Sequence, residues 1–314
     1  MKKLPLALAV SLIAASSSLS AATIYEKDGF KFKMDGDIQI QLRKRTGSGE
    51  ETHVDIDDSE LKNKISYDLG NDLTAFAEAH FDTGKDVDGA VESEETFVGI
   101  KSKNFKFQIG RMDYVTDSFA TERGIEEPTN QTAFEAGEVS GTDVILMEAK
   151  AGPMTFALSH DLGDSTRNTA LSSTDIYVSA KVNSNLQFGA AVQSLKETPA
   201  SDTTKTSGVN AKLKIGKISV AADYSSRDDK HSKASLADLK VTNLSVAFPV
   251  AATTKATLGI TNQSNKSDTA ADSWYANVVY KFPKAKNVSI FAEIENTNEQ
   301  DSSMGFVAGM RVKF

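Results

Sequence analysis

A two-residue rhythm of apolar and polar side chains runs unbroken from Phe30 to Arg43 and constrains the fold more than any other feature of the chain. Phe30, Phe32, Met34, Gly36, Ile38, Ile40 and Leu42 alternate with Lys31, Lys33, Asp35, Asp37, Gln39, Gln41 and Arg43. Successive side chains of an extended backbone point to opposite faces, so the segment is a strand with one oily and one charged face. It is longer than the ~5–6 residues of an ordinary strand and suits a tilted membrane strand, which needs ~9–11 residues.

The rhythm recurs down the chain. Leu61, Ile65, Tyr67 and Leu69 oppose Glu60, Lys62, Lys64 and Asp68; Ala75, Ala77, Ala79 and Phe81 oppose Thr74, Glu78, His80 and Asp82. Comparable segments continue to Phe306, Ala308, Met310, Val312 and Phe314, for a tally of about sixteen, the even number that single-chain bacterial barrels use. Connections alternate in length. Short ones fall at Gly70-Asn71-Asp72, Lys103-Asn104, Gly152-Pro153 and Gly216-Lys217, and long polar ones near 45–58, 83–93, 115–140 and 226–237. Turns on one rim and loops on the other are a signature of outer-membrane barrels; a soluble two-sheet sandwich has no reason to segregate them. Unpaired backbone groups cost several kcal/mol each in hydrocarbon, so the first and last strands must pair. The predicted fold is all-β: a 16-stranded antiparallel transmembrane β-barrel with short periplasmic turns and long external loops.

Met1-Lys2-Lys3, an apolar stretch from Leu4 to Leu19 and the small residues Ser20-Ala21-Ala22 read as a secretory signal peptide over residues 1–22, with the barrel domain spanning 23–314. The apolar core is shorter than the ~20 residues of a membrane-spanning helix. Cysteine is absent and the net charge is −8. An exported chain without disulfides needs a large framework of its own, and acidity disfavours nucleic acid as a partner. His53, His80, His160 and His231 lack ligand spacing, and Ser159-His160-Asp161 cannot form a relay because neighbouring strand residues face opposite ways. No catalytic, cofactor or metal site is expected. The acidic clusters Asp55-Ile56-Asp57-Asp58 and Glu92-Ser93-Glu94-Glu95 fall in predicted external loops. They either hold divalent cations against lipopolysaccharide or are merely solvated.

Tyr25-Glu26-Lys27-Asp28-Gly29, Asp68-Leu69-Gly70-Asn71-Asp72-Leu73, Phe107-Gln108-Ile109-Gly110-Arg111 and the alternating terminus at Phe314 together resemble the Gram-negative general porins. The resemblance implies an outer-membrane homotrimer of water-filled pores for small hydrophilic solutes and ions, embedded in lipid and lipopolysaccharide. It also implies an inward-folded third loop whose acidic groups face a basic wall. That loop, about Val115 to Ser140, carries Asp117, Glu122, Glu126, Glu127 and Glu135. The family's wall bases fall on Asp37 and Glu60 here, leaving Arg111, with Lys31, Lys33, Lys62 and Lys64 as replacements for part of the charge. A weakened basic wall leads to the expectation of cation preference. Other readings are an adhesin acting through its loops, or a solute-specific channel; Phe76, Tyr177 and Phe291 are the inward aromatics that a sugar track would use.

Overall fold

The structure, a computed structural model, describes residues 22–82, 91–126, 129, 131–163, 172–196, 203–228, 238–266 and 271–314. Its strands in chain order are β1 (Ala22–Lys27), β2 (Phe30–Lys44), β3 (His53–Gly70), β4 (Leu73–Asp82), β5 (Glu92–Lys101), β6 (Phe105–Asp113), β7 (Ser140–Ala151) and β8 (Met154–Asp161). They continue as β9 (Ser172–Lys181), β10 (Leu186–Lys196), β11 (Thr204–Ile215), β12 (Ile218–Asp228), β13 (Lys240–Ala251), β14 (Thr254–Ser264), β15 (Ser273–Phe282), β16 (Ala285–Thr297) and β17 (Gly305–Lys313). Each pairs antiparallel with the next, and β17 returns to β2, with Ala308 opposite Leu42 and Lys313 opposite Asp37. The ring from β2 to β17 is a closed 16-stranded antiparallel barrel.

The short strand β1 adds a feature the periodicity did not separate. It turns at Asp28-Gly29, both at positive φ (50° and 82°), and pairs with β2 from Ala22↔Met34 to Lys27↔Phe30. The same edge of β2 then receives β17, and Gly36 and Phe314 exchange both backbone hydrogen bonds, at 3.0 and 2.9 Å. β1 and β17 thus lie end to end along one edge, and together they satisfy the backbone groups that an open seam would strand in lipid.

Burial confirms which face is which. Ile40 is 47% exposed while its neighbour Gln41 is 1%; Leu258 is 52% exposed while Thr257 is 4%. The apolar rows point out and the polar rows point in, the reverse of a soluble protein and the arrangement that lipid demands. The outward aromatics sit near strand ends: Phe30 packs at a tilt against Tyr67 with ring centres 4.9 Å apart, and Tyr280 meets Phe282 edge to face at 5.1 Å. Among the described residues no helix is long and apolar enough to cross a membrane.

One expectation is corrected by the strand bounds. The acidic clusters 55–58 and 92–95 belong to β3 and β5 and not to loops. The cause in β3 is a one-residue bulge: Gln39 faces Asp58 and Ile40 faces Ile56, leaving Asp57 between them. An extra residue keeps the ladder running while it breaks the period of two. A turn at Ala252-Thr253, between β13 and β14, is also present without a glycine to mark it.

Candidate functional site

The lumen is built around the segment that leaves β6 at Asp113 and re-enters the sheet at Ser140. Its root is held by the wall. The Tyr114 hydroxyl donates to Asp161 at 2.8 Å, the Val115 N–H to Ser159 Oγ at 3.0 Å, and Thr116 Oγ1 to Asp175 at 2.8 Å. Burial first, then the bond to Asp161, pushes the Tyr114 phenol above its ordinary range. Met112, Tyr114 and Val115 pack with Phe76, Phe97, Val144 and Leu146 in a small apolar cluster. Ser159 and Asp161 face in and His160 faces out, as strand geometry requires, and the inward pair anchors the loop.

From there the loop runs around the inner wall. The short 3-10 turn Asp117–Phe119 leads to Thr121, whose N–H and hydroxyl donate to Asp223 of β12 at 3.0 and 2.6 Å. The Arg123 N–H donates to the Tyr275 hydroxyl of β15 at 3.0 Å. The N–H groups of Ile125 and Glu126 donate to Glu293 of β16, at 2.9 and 2.8 Å. Glu126 then reaches β2: it accepts from Gln41 at 2.6 Å and pairs with Arg43 at 2.6 Å. The chain returns past β13, where Asn243 donates to the Gln131 carbonyl, and β12, where the Ala133 N–H donates to Ser225 at 2.8 Å. Phe119 and Phe134, both fully buried with rings 4.9 Å apart, lock the two arms together. The segment therefore crosses the interior from β8 to β2. Buried loop N–H groups that lack helix or ladder partners find them on the inward polar row of the wall.

This geometry sorts the candidate pore residues. Asp37 is 5% exposed on β2 and ion-paired with Arg311 of β17, which also pairs with Asp58 at 2.9 Å. Glu60 bonds Lys62 at 2.5 Å, and Lys64 bonds Asp35 at 3.1 Å. His80 bridges Glu78 at 3.2 Å and Glu95 at 2.5 Å. Asp117 and Glu122 lie on the loop, and Glu126 ties it to β2; Glu127 and His231 lie outside the described residues. Arg111 is displaced from its expected place. It pairs with Thr96, which continues through Ala79 and Asn63 to Met34, the outward row, and its guanidinium bonds the Ser93 carbonyl at 2.9 Å. The period of two from Ile109 to Arg111 already requires this. The inward arginines among the described residues include instead Arg43, Arg123, Arg227 and Arg311, each legible as a residue alternating with outward neighbours or lying in the third loop. Phe76, Tyr177 and Phe291 do face inward, but Phe76 and Tyr177 are taken up in the apolar cluster at the root of the loop while Phe291 stands on β16.

Glu135 sits in the return arm, where burial pushes its carboxyl up to about 7 even though the Gln131 N–H donates to it at 3.0 Å. Among the described residues no group of acidic or histidine side chains is arranged to hold a metal ion.

A family model described as Gram-negative porin matches residues 7–302. The chain belongs to the Gram-negative porins. As a porin it is a transmembrane barrel of the bacterial outer membrane that forms a channel. Solved porin structures share its fold. The anion-selective porin from Comamonas acidovorans is 13% identical and superposes with a TM-score of 0.73 over 91% of this chain and 100% of its own. OmpF of Salmonella typhi, in complex with daunomycin, is 14% identical with a TM-score of 0.72 over 91% and 98%. The trimer form of OmpT from Vibrio cholerae is 16% identical with a TM-score of 0.71 over 91% and 100%. No curated protein sequence matches this porin.

Proposed function

We propose that this porin is a passive, cation-preferring diffusion channel for small hydrophilic solutes and ions, working as a homotrimer after loss of a leader over residues 1–22. The observation that carries the reading is the charge of the passage left open by the third loop. Along β3 and β17, Lys62 is held by Glu60, Lys64 by Asp35 and Arg311 by Asp37 and Asp58. At the root of the loop, Asp113 lies within electrostatic reach of Asp117, Glu94 and Glu95, with His80 and Lys62 the bases beside these carboxylates. Carboxylates in excess at a narrow, low-dielectric passage raise the local cation concentration and lower that of anions. No chemistry is asked of the wall; solutes move down their gradient. The trimer form of a fold neighbour supports the assembly.

Reversal potentials of the purified protein in a KCl gradient test the proposal. The expected result is a K⁺ preference that moves toward no preference in Glu94→Gln/Asp117→Asn, with insertions that gate in three equal conductance steps. Anion preference in the parent protein refutes the selectivity.

A further inference from the structure

Arg43, Lys62, Lys64 and Arg311 are each held by carboxylates. One group departs from this rule. Below the third loop, against the turns that join β11–β12, β13–β14 and β15–β16, a cavity of about 880 Å³ opens into the lumen. Six cations line it: Arg123 from the loop, and Lys214, Lys217, Lys255, Lys281 and Lys286 from the wall and turns. No carboxylate lines it among the described residues, and none of the six forms an ion pair there.

The ladder registers place these side chains. Lys214 shares its row with Ser219 and the buried Ala247, and Lys255 shares its row with Pro249, Val279 and Phe291. Arg123 descends to this level, bonding Ser219 Oγ at 3.1 Å, and Lys255 feels the charges of both Arg123 and Lys281. The floor is apolar: Ala247, Pro249 and Ala251 from β13 and Val279 from β15. The hollow has a structural cause. β13 is irregular between Pro249 and Ala251, where proline cannot donate to the ladder and a bulge bends the strand.

Six like charges in one concavity repel each other, and their focused field favours an incoming counter-charge. Lysine and arginine heads bind phosphate and carboxylate oxygens through charge-assisted hydrogen bonds. The volume lies within the ~300–1,000 Å³ of small-molecule sites, and such sites pair an apolar lining with a few charged groups. We propose that this cavity is a binding subsite for small organic anions, an apolar body carrying a phosphate or carboxylate group, on the periplasmic side of the loop. The subsite is separate from the acidic passage that sets ion preference.

The test is 4-nitrophenyl phosphate added to the full-length protein in a planar bilayer. Saturable current blockade is expected, stronger from the periplasmic side, with the uncharged 4-nitrophenyl glucoside ineffective and inorganic phosphate weaker than the ester. Lys255→Gln/Lys281→Gln should raise the half-blocking concentration at least about tenfold, the loss of one charge-assisted contact. Exchange of Lys103 and Lys181, rim lysines away from the cavity, should leave it unchanged. Equal blockade by the glucoside, an unaffected double variant, or open current without blockade overturns the subsite and leaves the channel standing. Absence of any current strikes the channel instead. Equilibrium dialysis of 4-nitrophenyl phosphate against the detergent-solubilised protein then decides the subsite, with equal binding by parent and double variant counting against it.

Discussion

Arginine in place of Leu258 should destabilise the barrel in lipid by about 2–4 kcal/mol, the cost of a cation on the lipid face near mid-bilayer. Leu258 lies in the middle of β14, between Val246 and Ala276, and is 52% exposed. Arginine in place of Lys255, on the same strand but the inward row, should change stability little. Urea titrations of the folded fraction in lipid vesicles read both variants. A chain whose outer face met water would show the opposite order, because an exposed leucine gains from becoming charged in water.

Removing the wall carboxylates that hold the third loop should open the pore. Asp223 accepts from the N–H and hydroxyl of Thr121 and from Asn243, and Glu293 accepts from the N–H groups of Ile125 and Glu126 and from Asn277. Each hydrogen bond to a charged acceptor contributes ~1.5–3 kcal/mol, and its loss leaves a buried donor unpaired. Asp223→Ala/Glu293→Ala should therefore raise single-channel conductance, add current noise and admit oligosaccharides that the parent excludes in liposome swelling. Unchanged conductance and exclusion would mean that the loop is held by other contacts. Glu135 gives this docking a pH dependence of known sign. Its docked carboxyl titrates near 7, above the ordinary value of 4.5, so docking is strongest below the ordinary value. That support is lost as pH rises through about 7. Glu135→Gln should flatten the dependence.

Much of this fold was legible because a barrel strand writes its two solvents into alternate letters. Ile40 and Gln41, or Leu258 and Thr257, disclose their faces without any tertiary knowledge. The reading failed where one residue more or less alters the count. The bulge at Asp57 hid the start of β3, and a turn built from Ala252 and Thr253 carries no glycine to announce it. Arg111 is the instructive case. Alternation from Ile109 put it on the outer face, and only the family resemblance drew it inward; the backbone followed the alternation. The partners of the third loop were beyond reach for a different reason. Asp223, Glu293 and Arg43 lie far from the loop in sequence, and nothing in a local pattern tells an inward polar residue wetted by the lumen from one that receives a buried N–H. The cationic cavity was hidden likewise, because Arg123, Lys214, Lys255 and Lys281 converge only once the sheet closes.

In this barrel lipid surrounds the outward row while water fills the inside. The chain contains no cysteine, so single cysteines report cleanly. The decisive measurement is labelling by a charged, membrane-impermeant thiol reagent at Lys214, Lys255 and Lys281, and at Val209, Leu258 and Val278. Rapid reaction with a change in current at the first three, and protection at the other three until the bilayer is dissolved, is the predicted result. Equal reactivity in both sets, or protection of the lysine positions, would contradict a water-filled barrel.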